Sequence, residues 1–123
     1  MVLNQITIPS TDVPRSVRFY RTLGLKLSVD AQPRYVRFLC EGGTTFSVHQ
    51  VEALLEGEGV SVYFEYERLD ELVRELQDQG IQFVEEPEDR SWGWREARLR
   101  DPDGNRLILY WAGEMRVNPP WRV

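Results

Sequence analysis

The sequence predicts an α+β fold in which one strand–helix–strand–strand–strand unit is used twice, and three observations predict it. Strand and helix signals recur in the same order in both halves. An offset of 56 sets Val17 on Val73, Arg18 on Arg74 and Gly24 on Gly80 without a gap. An offset of 61 pairs Gly43 with Gly104, Phe46 with Leu107 and His49 with Tyr110. Two such βαβββ modules imply a pseudo-twofold molecule with a shared sheet. The expected limits are about 2–51 for module one, 60–113 for module two and 114–123 for a tail, within a single domain spanning 1–123.

Each element has a local cause. Leu3, Ile6 and Ile8 give a loosely alternating first strand, which Pro9 is expected to end. Asp12 can cap the next element. Val13, Val17 and Tyr20 then fall on one helical face, and Gly24 stands where a helix C-terminus favours glycine. Leu25-Lys26-Leu27 resumes strand-like alternation until Pro33. Residues 34–40 and 44–51 read as two strands around the Gly42-Gly43 turn. The stretch 52–59, with three glutamates and two glycines, reads as a solvated linker. Residues 60–66 form the next strand. Leu69, Leu72, Val73 and Leu76 make an i, i+3, i+4, i+7 stripe, the best helix signal in the chain, and Gly80 ends it. Residues 81–84 read as a strand, 85–90 as a charged loop and 94–100 as a strand. Asp101-Pro102-Asp103-Gly104-Asn105 is dense turn chemistry, and the apolar run Leu107–Trp111 makes the last strand. The tail, with Pro119-Pro120-Trp121, has no regular period.

Bulk properties narrow the function classes. A chain of 123 residues with 41% hydrophobic and 28% charged residues is one ordinary globular domain. A net charge of −5 argues against nucleic acid or an anionic membrane as partner. The single Cys40 permits no internal disulfide and no cysteine-based zinc site. No apolar run reaches the roughly 18 residues that span a bilayer, and no signal peptide is visible. The expectation is a cytoplasmic protein.

Ile8-Pro9-Ser10-Thr11-Asp12-Val13-Pro14-Arg15-Ser16-Val17-Arg18-Phe19-Tyr20, followed by Leu23-Gly24-Leu25, together with Tyr63-Phe64-Glu65-Tyr66, Leu69-Asp70 and Asp101-Pro102-Asp103-Gly104-Asn105-Arg106, resembles the vicinal-oxygen-chelate superfamily. That superfamily includes glyoxalase I, bleomycin-resistance proteins, fosfomycin-resistance transferases and extradiol dioxygenases. The resemblance spans Leu3 to Trp111. It implies two βαβββ modules forming a cupped eight-stranded mixed sheet around a cavity, in a homodimer or paired-domain arrangement. Metal-using members place one His, Glu or Gln ligand on each of four strands. The matching positions here are Gln5, Ser47, Ser61 and Ile108. Only Gln5 is a serviceable ligand, and a catalytic metal normally needs about three. The resemblance therefore implies a degenerate metal site and no resident cofactor.

Strand side chains alternate faces, so positions two or four away from those sites share the expected cavity. This selects His49 from Ser47, Tyr110 from Ile108, and Tyr63 and Glu65 from Ser61. The family's parity selects Trp94, Glu96 and Arg98 on the strand before the final turn, with Tyr35 and Arg37 as their first-half counterparts. His49 is the only histidine. It reads either as an acid/base or substitute metal ligand with Glu65 or Glu96, or as a histidine hydrogen-bonded to Tyr110 or a glutamate. Arg37 and Arg98 read as a fork for an anionic ligand, or as cations neutralised by Glu65 and Glu96. Trp92 and Trp94 read as an aromatic wall or as packing.

Three functions follow. One is metal-independent binding of a small anionic or aromatic molecule through Gln5, Arg37, Tyr63, Trp94, Arg98 and Tyr110. The alternative is a lyase- or isomerase-type enzyme using His49, Glu65 and Glu96, with a displaced divalent metal or metal-free acid/base chemistry. The plainest is a structural or regulatory dimer whose cavity is closed by Glu–Arg pairs.

Overall fold

A computed structural model describes all 123 residues. Strand β1 (Gln5–Ser10) leads into helix α1 (Val13–Thr22), and strands β2 (Lys26–Ala31), β3 (Tyr35–Leu39) and β4 (Thr45–Gln50) follow. The second series is β5 (Ser61–Glu65), α2 (Leu69–Asp78), β6 (Phe83–Asp89), β7 (Arg95–Arg100) and β8 (Arg106–Trp111). Each series closes into its own four-stranded mixed sheet, ordered β1-β4-β3-β2 and β5-β8-β7-β6. The repeated βαβββ order is thus what the chain forms.

The chain divides into two compact units, Met1–Gly57 with Asp101–Asn105, and Glu58–Arg100 with Arg106–Val123. In the first, Asp12 starts α1 by accepting the Arg15 N–H at 3.1 Å. Gly24 closes the helix at φ +101°, a conformation that costs a residue with a Cβ dearly. Val13, Val17 and Tyr20 turn inward onto Ile8, Val36, Phe38, Phe46 and Val48, all nearly inaccessible. The Tyr20 ring meets Phe46 at 4.7 Å and Phe38 at 5.8 Å between centroids. In the second unit Leu69, Val73 and Leu76 of α2 are buried, as are Val62, Ala97, Leu99, Leu107 and Leu109 of its sheet. Asp70 and Glu71 in the first turn of α2 suit the positive end of the helix dipole.

Two sequence expectations are corrected. Pro9 does not end β1, which runs on through it to Ser10. β1 pairs only with β4, and on an edge strand a missing N–H can face away from the ladder. Residues 85–90 are not a loop, because β6 extends to Asp89 and carries most of them. β6 is also an edge strand, and its acids meet arginines. Glu85 pairs with Arg98 and Arg90, Glu88 with Arg90, and Asp89 with Arg95. Register shifts between Phe83 and Glu88 hide the alternation that would mark a strand in the sequence.

The Asp101–Asn105 turn belongs to the first unit and is bound into it through side chains. Asp101 Oδ1 accepts the backbone N–H groups of Asp103 and Asn105, each at 2.9 Å. Its Oδ2 accepts the Tyr20 hydroxyl at 2.6 Å and the Asn105 amide at 2.8 Å. Burial and the neighbouring Asp101 carboxylate hold the Tyr20 phenol well above its ordinary value. Asp103 accepts the Ser10 hydroxyl (2.6 Å), the Thr11 N–H and hydroxyl (2.9 and 2.7 Å), Arg15 Nη2 (3.1 Å) and the Ser16 hydroxyl (3.2 Å). The β1–α1 corner is thereby filled by two carboxylates from a distant turn.

Candidate functional site

Each sheet has one face covered by its helix and one face turned away from it. The turned-away faces carry the residues singled out in the sequence. In the second unit the register aligns Tyr63 with Ile108, Glu65 with Tyr110, Glu96 with Tyr110 and Arg98 with Ile108. Alternation therefore places Tyr63, Glu65, Glu96, Arg98 and Tyr110 on one face. Trp94 joins them from the residue just before β7, packing on a small apolar cluster of Ile108, Tyr110 and Ala112.

Aromatic geometry dominates this face. Trp94 stacks on Tyr110 at 4.7 Å and 17°, and Tyr63 meets both edge-on, at 6.0 and 5.6 Å. Tyr110 is buried, whereas Tyr63 is 46% exposed and forms the open side of the cluster. Burial and the nearby Glu65 carboxylate raise the Tyr110 phenol above its ordinary value. Tyr63 and Ile108 also line a cavity of about 280 Å³, together with Ser61, Glu85, Arg98 and Arg106. That volume lies at the lower edge of the range of ligand pockets, roughly 300–1,000 Å³.

The charged residues on this face are already engaged. Glu96, 1% exposed, accepts Trp92 Nε1 at 2.7 Å and Arg98 Nη2 at 3.2 Å. Arg98 lies 3.7 Å from Glu85, and its Nε is buried without a hydrogen-bond partner. Glu65 accepts the backbone N–H groups of Ala112 and Gly113 at 3.1 and 3.2 Å and lies 3.7 Å from Arg116. It secures the short helical turn Gly113–Arg116, which in turn fixes Trp94 through a 3.3 Å hydrogen bond from Nε1 to the Met115 carbonyl. The neutralised-arginine reading thus describes Arg98, though Glu85 takes part where Glu65 was expected.

In the first unit Tyr35 aligns with His49, Arg37 with Ser47 and Gln5 with Thr45. Gln5 accepts the Thr45 hydroxyl at 2.9 Å. His49 is exposed and has neither of the hydrogen-bond partners weighed for it. The sequence reading gave Tyr35 no role of its own, yet its hydroxyl sits 2.7 Å from Ser47 Oγ and accepts from Arg37 Nε at 3.1 Å. Partial burial works against ionisation of this phenol, but bonds from Ser47 and Arg37 outweigh it and lower its pKa. The parity argument that selected Arg37 pointed at Tyr35 equally, so the signal was present.

The positions at which the resemblance expects metal ligands give a poor donor set. Ser47 Oγ is bonded to Tyr35, Ser61 Oγ accepts from Arg106 at 2.8 and 3.2 Å, and Ile108 has no donor atom. No group of three or more His, Cys, Asp or Glu side chains is gathered where it could hold a metal ion. No helix is long and apolar enough to cross a membrane.

Comparison with known proteins agrees with this architecture. The profile of the Glyoxalase/Bleomycin resistance protein/Dioxygenase superfamily matches residues 2–109. The uncharacterized protein YraH of Bacillus subtilis (strain 168) is 32% identical over 126 residues, covering 89% of this chain and 98% of that protein. The crystal structure of a glyoxalase/bleomycin resistance protein/dioxygenase from Nocardioides superposes with a TM-score of 0.78 at 24% identity, over 100% of this chain and 89% of that one. A family enzyme from Burkholderia phytofirmans PsJN superposes at 0.74 with 18% identity, over 89% and 97% of the two chains. At these identities the solved structures speak for the fold alone. With its profile matched over most of its length and its two βαβββ modules formed, the chain belongs to the glyoxalase/bleomycin resistance protein/dioxygenase superfamily.

Proposed function

We propose that this domain binds a small organic molecule with an aromatic part, without a metal ion, on the turned-away face of its second sheet. The observation that carries the proposal is the Tyr63–Trp94–Tyr110 cluster bordering a cavity lined by Arg98 and Arg106. A flat ligand edge seated against Tyr63 gains an edge-to-face contact, and Arg98 and Arg106 line the cavity beside it. A homodimer and a cytoplasmic setting are parts of the same proposal. The free Cys40 suits a reducing compartment. Twice the mass of one chain in light scattering is the expected oligomer.

Donor chemistry favours this reading over the displaced-metal alternative. Glu65 and Glu96, two of the residues that alternative needs, have their oxygens committed to backbone N–H groups, Trp92 and Arg98. Titration with a panel of neutral and anionic aromatic compounds, followed by tryptophan fluorescence, is the test. A hit should quench emission, and Tyr63→Ala should weaken it about tenfold, or 1.4 kcal/mol. A panel with no binder, or a binder indifferent to Tyr63→Ala, would count against the proposal.

A further inference from the structure

The two turned-away faces differ in charge. That of the second sheet carries Glu65, Glu85 and Glu96 beside its arginines. That of the first carries Gln5, Thr7, Tyr35, Arg37, Ser47 and His49, with no carboxylate among them. In a chain with 20 acidic and 15 basic residues, an acid-free face around a half-buried arginine is a departure. Arg37 takes part in no ion pair, although Arg15, Arg90, Arg95, Arg98 and Arg106 all do.

Arg37 is nonetheless held in place. Its Nε donates to the Tyr35 hydroxyl at 3.1 Å, and its guanidinium carbon lies 5.6 Å from the centre of the same ring. Tyr35 is anchored in turn by Ser47, whose side chain is fully buried. One edge of the guanidinium is thus fixed by a buried serine through a tyrosine, and the terminal nitrogens have no protein partner. A partly desolvated guanidinium with two open, co-planar donors is completed by a planar monoanion accepting from both. The adjacent phenol can donate to the same anion, since its hydroxyl can rotate away from Ser47. With one fixed positive charge and no second cation paired to it, a single carboxylate matches better than a dianion.

We propose that Arg37, oriented by Tyr35 and Ser47, forms a carboxylate-binding site on the first sheet. This rests on the reading of the domain as a binder of small organic molecules and adds a carboxylate site built from residues of the first sheet alone. The probe is benzoate, with benzamide as its neutral isostere, followed by two-dimensional amide NMR of the labelled protein. Benzoate should shift the resonances of Tyr35, Arg37 and Ser47, and benzamide should leave them in place. Arg37→Gln should weaken benzoate at least about tenfold, and Arg37→Lys and Tyr35→Phe by smaller factors, with the exposed Arg74→Gln indistinguishable from wild type. The lysine and phenylalanine variants keep the test alive if the glutamine variant does not fold. Shifts that survive Arg37→Gln, or that vanish with Arg98→Gln while surviving Arg37→Gln, overturn the assignment. So does an absence of benzoate shifts. If neutral aromatics still bind in a Tyr63-dependent way, that last result removes only this assignment and leaves the aromatic site standing.

Discussion

Asp101→Ala is expected to cost about 4 kcal/mol and to lower the melting temperature by roughly 15 °C. The carboxylate is 5% exposed and accepts two backbone and two side-chain donors. Its removal leaves the buried Tyr20 hydroxyl without the carboxylate it donates to, and it releases the turn that presents Asp103. Tyr20→Phe should cost only about 1 kcal/mol, because it deletes the donor and leaves Asp101 with its other partners. Combined with Asp101→Ala, the same change should be neutral or restorative, since no hydroxyl is then left unpaired. Additive losses in that double-mutant cycle would show that the hydrogen bond is not what holds the turn.

Asp103→Asn is expected to destabilise the protein by about 2–3 kcal/mol at neutral pH, and the difference from wild type should close in acid. Burial opposes the charge on Asp103, but the Ser10 hydroxyl, the Thr11 N–H and hydroxyl, and the Arg15 guanidinium outweigh it, so its pKa lies below the ordinary value. A carboxylate whose folded value is depressed adds stability that is complete above its unfolded value, about 3.9, and disappears as pH falls through the folded one. The gap between the two proteins in urea should therefore be constant above about pH 5 and shrink below about pH 4. A gap unchanged down to pH 2 would mean that shape, not charge, makes Asp103 matter.

These two carboxylates show how far the sequence could be read. Asp101-Pro102-Asp103-Gly104-Asn105 is legible as a turn because turn chemistry is local, and Gly104 does take φ +86°. That its acids bind Ser10, Arg15, Ser16 and Tyr20 was not legible. Those partners lie more than 80 residues away, and nothing local marks a carboxylate as bonded to a distant helix. The helices were legible to within a residue or two, because Val13, Val17 and Tyr20, and Leu69, Val73 and Leu76, are buried on one side. β6 was legible only at its start, and its stretch from Glu85 to Asp89 was lost because an edge strand can carry acids on both faces when arginines meet them. Alternation counted from the positions that the family resemblance supplied placed Tyr63, Trp94, Glu96, Arg98 and Tyr110 on one face. It could not foresee that Glu65 would hold the tail's backbone or that Tyr35, rather than His49, would be the tethered polar group beside Arg37.

The most direct test of the central claim, ligand binding without a metal, is metal analysis and ligand titration on the same preparation after dialysis against a chelator. The expected result is no stoichiometric transition metal, with the affinity for the best aromatic ligand the same before and after dialysis. A metal retained through dialysis, or an affinity that falls on chelation and returns when the metal is restored, would contradict it.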